Sequence, residues 1–386
     1  MVNAADAERL VADRERVQFD AVRTKIDYRA LAERAASGDT LSDQELAEAR
    51  LALDQPLLAG LDLPNHPEFQ AWLTGLRNEA EGLRARLFPG LVVASAAAPD
   101  SGRLHLARQR IGFAKATDGT RIAWARIGTG PPLIKAANWL NHLELDWDSP
   151  IWSPLFQELA RDHCLIRYDE RGNGMSDWDV ADLGFEAFVT DLDCVVQASR
   201  HDRFPLLGLS QGVAVAIEYA ARYPERVSHL VLWGGYACGW RVDGSDALKA
   251  EREAIITLVA QGWGREDSSY RHLFSRAFLP SATAEELVAF DEFQRRSISQ
   301  NNAVRFLQTF ADIDVRHRLG DVRCPTLVMH ARGDLRVPCD KGAELAAAIP
   351  GAEFVTLPTD NHLLLGREAS SELFVAHVRE FLSATS

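Results

Sequence analysis

The stretch FPLLGLSQGVAVAIEYAAR, residues 204–222, constrains this chain more than any other. Its apolar first part reads as a strand buried on both faces, and its second part repeats apolar residues at helical spacing. Between the two, Gly208-Leu209-Ser210-Gln211-Gly212 leaves no room for a loop, so strand must turn into helix at Ser210. Such a turn crowds the positions two before and two after the serine, where Gly208 and Gly212 carry no side chain. It lifts the hydroxyl clear of the backbone and sets it at a helix N-terminus, whose N–H groups and positive dipole end face a reacting oxygen. A serine hydroxyl is a weak nucleophile until a base takes its proton, so Ser210 needs partners from elsewhere in the chain.

Two later positions supply candidates. In PTLVMHARGDLRVP, Asp334 follows an apolar strand directly, beside Gly333 and ahead of Pro338. After the strand EFVTLP, His362 sits in the loop TDNH. Both lie beyond the C-terminal ends of their strands, where parallel sheets gather ligands and reacting groups. The order Ser, Asp, His is that of a nucleophile-elbow hydrolase, with His362 as base and Asp334 orienting it. An oxyanion hole requires two N–H donors. One is the backbone of Gln211, and the other belongs to the loop AANWLNHLELDW, where a strand ending near Ala137 makes Trp139 the donor and Asn138 its hinge.

The surrounding texture supports a layered fold. From about residue 105 strands and helices alternate, the pattern of a largely parallel sheet covered on both faces. Candidate strands are QRIGFAKA, TRIAWARIG, PLIKAAN, HCLIRYD, FPLLGL, HLVLWGG, PTLVMHA and EFVTLP, the first two joined by the hairpin signal Asp118-Gly119. Between HLVLWGG and PTLVMHA lie about 85 residues without a strand, read as amphipathic helices forming a lid. Residues 1–104 read as an all-helical extension, with a cap-like Ser42 and Glu45 opening one helix, closed by the linker-like LVVASAAAPDSGR. The predicted organisation is an extension over 1–104, an α/β core over 105–238 and 322–386, and a lid over 239–321.

Acidic residues outnumber basic ones 55 to 42, a formal charge of −13, so nucleic acid and anionic membrane surfaces are poor partners. No stretch approaches the ~18 consecutive apolar residues of a membrane span, and the first residues, MVNAADAERL, lack the apolar run of a signal peptide. The expectation is a cytoplasmic protein. Its five cysteines follow no metal-ligand spacing, and the proposed chemistry requires neither metal nor organic cofactor.

Together GLSQG, DERGNGMSD (169–177) and HARGD…NH resemble the α/β-hydrolase fold superfamily. PPLIKAANWLNHLELDWDSPIW resembles, more narrowly, a bacterial subgroup often fused to adenylyl-cyclase or transcription-regulator domains. The resemblance covers residues 105–386 and implies an eight-stranded sheet, a helical lid, and Ser210, Asp334 and His362 as nucleophile, acid and base. The chain departs from the common pattern before the oxyanion donor, where Ala137-Asn138 replaces the usual His-Gly pair. Serine at the elbow disfavours the dehalogenase and epoxide-hydrolase branches, which use aspartate there. The expected activity is cleavage of a carboxylic ester of a small, largely apolar substrate through an acyl-enzyme. A lactonase, amidase or C–C hydrolase with the same triad, and a ligand-binding regulatory protein on a hydrolase fold, remain open alternatives.

Other residues carry expectations of their own. Trp139, His142, Trp233 and Tyr236 are candidate substrate contacts, His142 being open to the alternative of fixing its own loop. Lys135, inside a buried strand, is expected to pair with Asp169 or Glu170. The segment from Asp169 to Asp177 reads as a structural turn supported by Arg171 and Asp177. The N-terminal apolar stripe Leu10, Val17, Val22, Ile26 and Leu31 suggests a homodimer through the extension.

Overall fold

The computed structural model describes residues 108–263, 265 and 269–383, together with His105 and two short strands near the start of the chain. The chain divides into two units, Met1–Asp100 and Ser101–Ser386. In the first, β1 (Leu10–Ala12) pairs antiparallel with β2 (Val17–Phe19), Leu10 opposite Phe19. This departs from the helix expected there. Val11, Val17 and Phe19 are β-branched or aromatic, and a pleated pair suits such residues better than a helical stripe. The remaining helices expected over residues 1–104, and the dimer contact assigned to them, lie outside the described residues.

The second unit is built on an eight-stranded sheet of order β10-β9-β8-β7-β5-β6-β4-β3. Strands β3 (Arg110–Lys115) and β4 (Arg121–Ile127) form the expected antiparallel hairpin. Gly119 takes φ 92° at its tip, and Asp118 Oδ1 accepts the Thr120 N–H at 3.0 Å. β4 runs antiparallel to β6 (Cys164–Tyr168). From there β5 (Pro132–Lys135), β7 (Phe204–Leu209), β8 (Val227–Trp233), β9 (Thr326–Ala331) and β10 (Glu353–Leu357) are parallel. Every residue of β9 is buried, the expected state of a strand covered on both faces.

Helices α1 (Trp152–Asp162), α2 (Phe185–Ser199) and α3 (Gly212–Arg222) cross between the first parallel strands. The sequence left α1 unassigned. Pro154 in its first turn resembles a breaker, but a first-turn N–H has no intrahelical acceptor and its loss costs little. Between β8 and β9 the chain forms α4 (Trp240–Asp243), α5 (Asp246–Gly262), α6 (Ser269–Arg276), α7 (Ala284–Ser297) and α8 (Gln300–Asp312). Thr283 and Glu286 close a reciprocal capping box on α7. α9 (Cys339–Ala348) and α10 (Ala369–Ser383), the latter unassigned from sequence, complete the unit.

The helices between β8 and β9 pack an aromatic cluster over the sheet's C-terminal edge. The Trp139 ring meets Trp263 at 5.6 Å, Phe274 at 5.5 Å and Phe310 at 6.1 Å between centroids. Its indole N–H donates to Gln294 Oε1 at 3.1 Å. This face satisfies the apolar requirement of the inserted helices and encloses the ends of β5, β7 and β9.

The turn after β6 is structural, as its sequence suggested. Gly172 and Gly174 take φ 87° and 58°, and a Cβ at Gly174 would meet the Asp169 carboxylate at 2.3 Å. Arg171 reaches Asp191 at 2.7 Å and Asp118 at 2.6 Å, while Asp177 pairs with Arg121 at 3.0 Å. Lys135, by contrast, does not bond Asp169 or Glu170. Its ammonium donates to Asn138 Oδ1 at 2.5 Å and to the Ala136 carbonyl at 3.1 Å, and lies 5.6 Å from the Trp152 ring. Burial pushes its pKa down to about 7 against the pull of Asp146, Glu170 and Asp169, so the acids act through the field and not through contact.

Candidate active site

Ser210 stands between β7 and α3 with φ 53°, a left-handed conformation rare for a residue with a side chain. The neighbouring backbone explains both glycines. A Cβ at Gly208 would lie 2.9 Å from Val213 Cα, and one at Gly212 would lie 2.3 Å from the Ala137 carbonyl oxygen. The Ser210 N–H donates to the Trp233 carbonyl at 2.8 Å, which ties the turn to the end of β8.

The three residues named from sequence come together. Ser210 Oγ lies 2.9 Å from His362 Nε2, and His362 Nδ1 lies 2.6 Å from Asp334 Oδ2. The other Asp334 oxygen accepts the Arg336 and Val337 N–H groups at 2.8 and 2.9 Å. Burial alone would raise the Asp334 pKa. The charge of His362 and hydrogen bonds from His330, His362 and the Val337 backbone instead hold it well below the usual carboxylate range. His362 is fully buried, with its N–H bonded to the Phe278 carbonyl at 2.9 Å and its carbonyl accepting the Trp233 indole N–H at 2.8 Å. The neighbouring Asn361 reaches Ser281 at 2.6 Å, so the inserted segment grips the histidine loop from both sides.

The Gln211 N–H opens α3 and has no acceptor one turn back. The Trp139 N–H points to the same region, where it donates to the side-chain Oε1 of Gln211 at 2.8 Å. The Gln211 amide nitrogen, in turn, has no hydrogen-bond partner among the described residues. At Asn138 the N–H bonds to Asn141 Oδ1 at 2.7 Å and the side-chain amide to the Trp139 carbonyl at 3.0 Å.

A cavity of about 250 Å³ opens onto Ser210 and Gln211. Trp139 and Tyr236 line it, as do Ile256, Phe278, Phe310 and Arg336. Two expected contacts lie elsewhere. Trp233 ends β8 with its ring turned into the core against Phe374, at 5.5 Å, because the chain reverses at Gly234 (φ 60°) and brings Tyr236 to the cavity instead. His142 accepts the Glu144 and Leu145 N–H groups at 3.3 Å and holds its own loop. Burial, then the charges of Arg296 and Arg167, push its pKa down to about 4.

Sequence reasoning missed His330, the penultimate residue of β9, fully buried with Nε2 2.9 Å from the Val337 carbonyl and 3.4 Å from Asp334 Oδ2. Its signal was present in HARGD, four residues ahead of the acid. It also missed Arg336, for which no local pattern exists.

Comparison with known proteins matches residues 143–368 to the family described as the alpha/beta hydrolase fold. The chain belongs to that family. A Klebsiella pneumoniae protein named "Putative carbamate hydrolase RutD" is 29% identical over 214 residues, 55% of this chain and 79% of its own length. Among solved structures, a hydrolase from Pseudomonas aeruginosa PA01 is similar with a TM-score of 0.59 and 25% identity, covering 71% of this chain and 98% of its own. The enol-lactonase from Burkholderia xenovorans LB400 shares the fold, with a TM-score of 0.56, 22% identity, and coverage of 70% and 100%. The protein is a hydrolase of this family, and among its described residues no helix is long and apolar enough to cross a membrane.

Proposed function

We propose that this hydrolase cleaves carboxylic esters through an acyl-enzyme on Ser210. One observation carries the reading: a strained serine 2.9 Å from an imidazole whose other nitrogen lies 2.6 Å from a buried, ionised carboxylate. His362 Nε2 takes the Ser210 proton as Oγ bonds to the ester carbonyl carbon. Asp334 holds the Nδ1–H tautomer and balances the imidazolium charge. The Gln211 and Trp139 N–H groups receive the oxyanion once the Gln211 carboxamide has turned aside. The C–O bond to the alcohol then breaks, and the alcohol departs with the proton from His362. Water repeats the sequence on the acyl-enzyme and releases the acid. Tyr236 and Trp139 wall the cavity in which the acyl or alcohol part sits.

Relatives named as carbamate hydrolase and enol-lactonase support carbonyl chemistry of the same kind. Intact-mass spectrometry after a fluorophosphonate tests the reading, together with turnover of short p-nitrophenyl esters. A single adduct on Ser210 with ester turnover is expected. Absence of any adduct on Ser210 overturns it.

A further inference from the structure

The cavity beside Ser210 is walled mainly by apolar groups, yet it holds Arg252, Arg336 and Lys341 against one carboxylate, Asp243. Lys341 faces Asp243 at 3.8 Å and also bonds Glu344 at 2.9 Å. Among the described residues that leaves two guanidinium groups with no carboxylate in contact, Asp334 and Glu251 acting on both only through the field. Arg336 lies with its guanidinium carbon 4.9 Å from the Phe278 ring centroid and 5.3 Å from that of Phe274. Among the described residues no oxygen accepts a hydrogen bond from this guanidinium. Among the described residues the only side-chain hydrogen bond of Arg252 runs to the Arg336 carbonyl, at 3.3 Å.

Asp334, two residues away in the chain, is not the missing counter-ion. Both its oxygens are engaged, one by His362 and the other by two backbone N–H groups, one of them that of Arg336 itself. Burial, followed by the like charge of Arg252, pushes the Arg336 pKa down to about 9. Arg336 and Arg252 are half-buried at the cavity wall, and a guanidinium partly withdrawn from water is normally answered by a carboxylate that fits its fork. Here the unanswered donors border a cavity that ends at a nucleophile.

Phe278 fixes the geometry between the two. One side of its ring meets the Arg336 guanidinium, and its centroid lies 5.5 Å from that of the His362 imidazole. An anion held by Arg336 and an ester carbonyl at Ser210 therefore share one aromatic wall within a cavity of about 250 Å³, a volume that admits only a small acid.

We propose that Arg336, with Arg252 behind it, binds a free carboxylate carried by the substrate, so that this site favours half-esters of short dicarboxylic acids over neutral esters. The inference rests on the proposed ester chemistry at Ser210 and replaces the largely apolar substrate expected from the aromatic content of the sequence. The cation–π contacts park the guanidinium over Phe278 and Phe274 until the carboxylate arrives and forms a bidentate pair.

The test separates binding from chemistry. The Ser210→Ala variant is titrated by calorimetry with monoethyl glutarate and with ethyl methyl glutarate, in which the carboxylate is capped. The half-ester is expected to bind at least about tenfold more tightly, as a charge-assisted pair implies. In the double variant Ser210→Ala/Arg336→Met the preference disappears. Ser210→Ala/Arg336→Lys, which keeps the charge but lacks the fork, restores part of it. Near-ultraviolet circular dichroism confirms that each variant is folded, and Ser210→Ala/Arg252→Met gives a second reading of the same preference. Equal affinity for the two esters, or a preference that survives Arg336→Met, overturns the proposal. A fluorophosphonate adduct on Ser210 with equal affinity for the two esters would leave the triad standing and remove only the carboxylate site. A half-ester preference without an adduct would do the reverse.

Discussion

Gln211 Oε1 accepts the Trp139 N–H at 2.8 Å, so the side chain of one proposed oxyanion donor sits on the N–H of the other. The amide oxygen stands in for the substrate oxygen, presenting a carbonyl to a backbone donor in a buried setting. Substrate must displace it, and its amide nitrogen, which has no partner among the described residues, gives the side chain little to lose on turning away. The expected effect of Gln211→Ala is a KM lower by about two- to tenfold, the range of one net hydrogen bond, with kcat moving less than KM. Steady-state kinetics on a p-nitrophenyl ester checks this. A KM that rises would show that the carboxamide helps to bind substrate instead of competing with it.

Asp334 accepts from His362 Nδ1 and from two backbone N–H groups. Replacing it with asparagine keeps the shape but presents an amide N–H where a lone pair is needed, and the imidazole turns to the wrong tautomer. Asp334→Asn is expected to lower kcat by roughly 10⁴-fold with the fold intact. The measurement is single-turnover release of p-nitrophenol beside a thermal melt. A loss below tenfold would remove Asp334 from the mechanism.

Gly212 is where α3 and the oxyanion turn approach most closely, since a Cβ there would lie 2.3 Å from the Ala137 carbonyl. Gly212→Ala must push these elements apart. Destabilisation by about 1–3 kcal/mol is expected, the usual cost of overpacking, with activity falling further than stability because Trp139 moves with Ala137. Urea unfolding and kcat/KM, measured on the same preparation, check both halves.

Glu170 gives a pH signature. Burial, then the charges of Asp191 and Asp169, raise its pKa to about 8 against the opposing pull of Lys135. In the unfolded chain the group ionises near its ordinary value of 4.5. Between those two values the folded state holds a proton that the unfolded state has lost, so this residue lowers stability as pH rises and stops doing so above about 8. Glu170→Gln removes that dependence. Its melting temperature is expected to exceed the parent's at pH 8 and to converge with it below pH 4.5. Parallel melting curves across pH 4–9 are the measurement, and a variant less stable at pH 8 would show that the ionised carboxylate is needed.

The parts of the site legible in the sequence are those with local causes. GLSQG announces its turn because strand, glycines and helix adjoin one another in the chain, and steric crowding around a serine at φ 53° admits only glycine at Gly208 and Gly212. Asp334 and His362 were legible because each follows an apolar strand, and in a parallel sheet every such strand ends at the same edge. Asp118-Gly119 marked its hairpin for an equally local reason. The missed helix α1 failed on Pro154, a residue whose effect depends on its place within the first turn.

Trp233 and Tyr236 show the other side. Both follow a core strand and both are aromatic, but a reversal at Gly234 sends one ring into the core beside Phe374 and the other to the cavity. Lys135 found Asn138 instead of an acid because the oxyanion turn folds back over the end of its own strand. Arg336 carried no expectation from the sequence. Only packing against Phe274 and Phe278, donated by a segment more than fifty residues earlier, placed its charge in the cavity with no carboxylate in contact among the described residues. Elements and their order follow from short-range sterics and periodicity, which a single stretch of chain contains. Which face of a strand end meets the cavity, and which charge stays unmatched, follows from contacts between distant segments and exists only once they have packed.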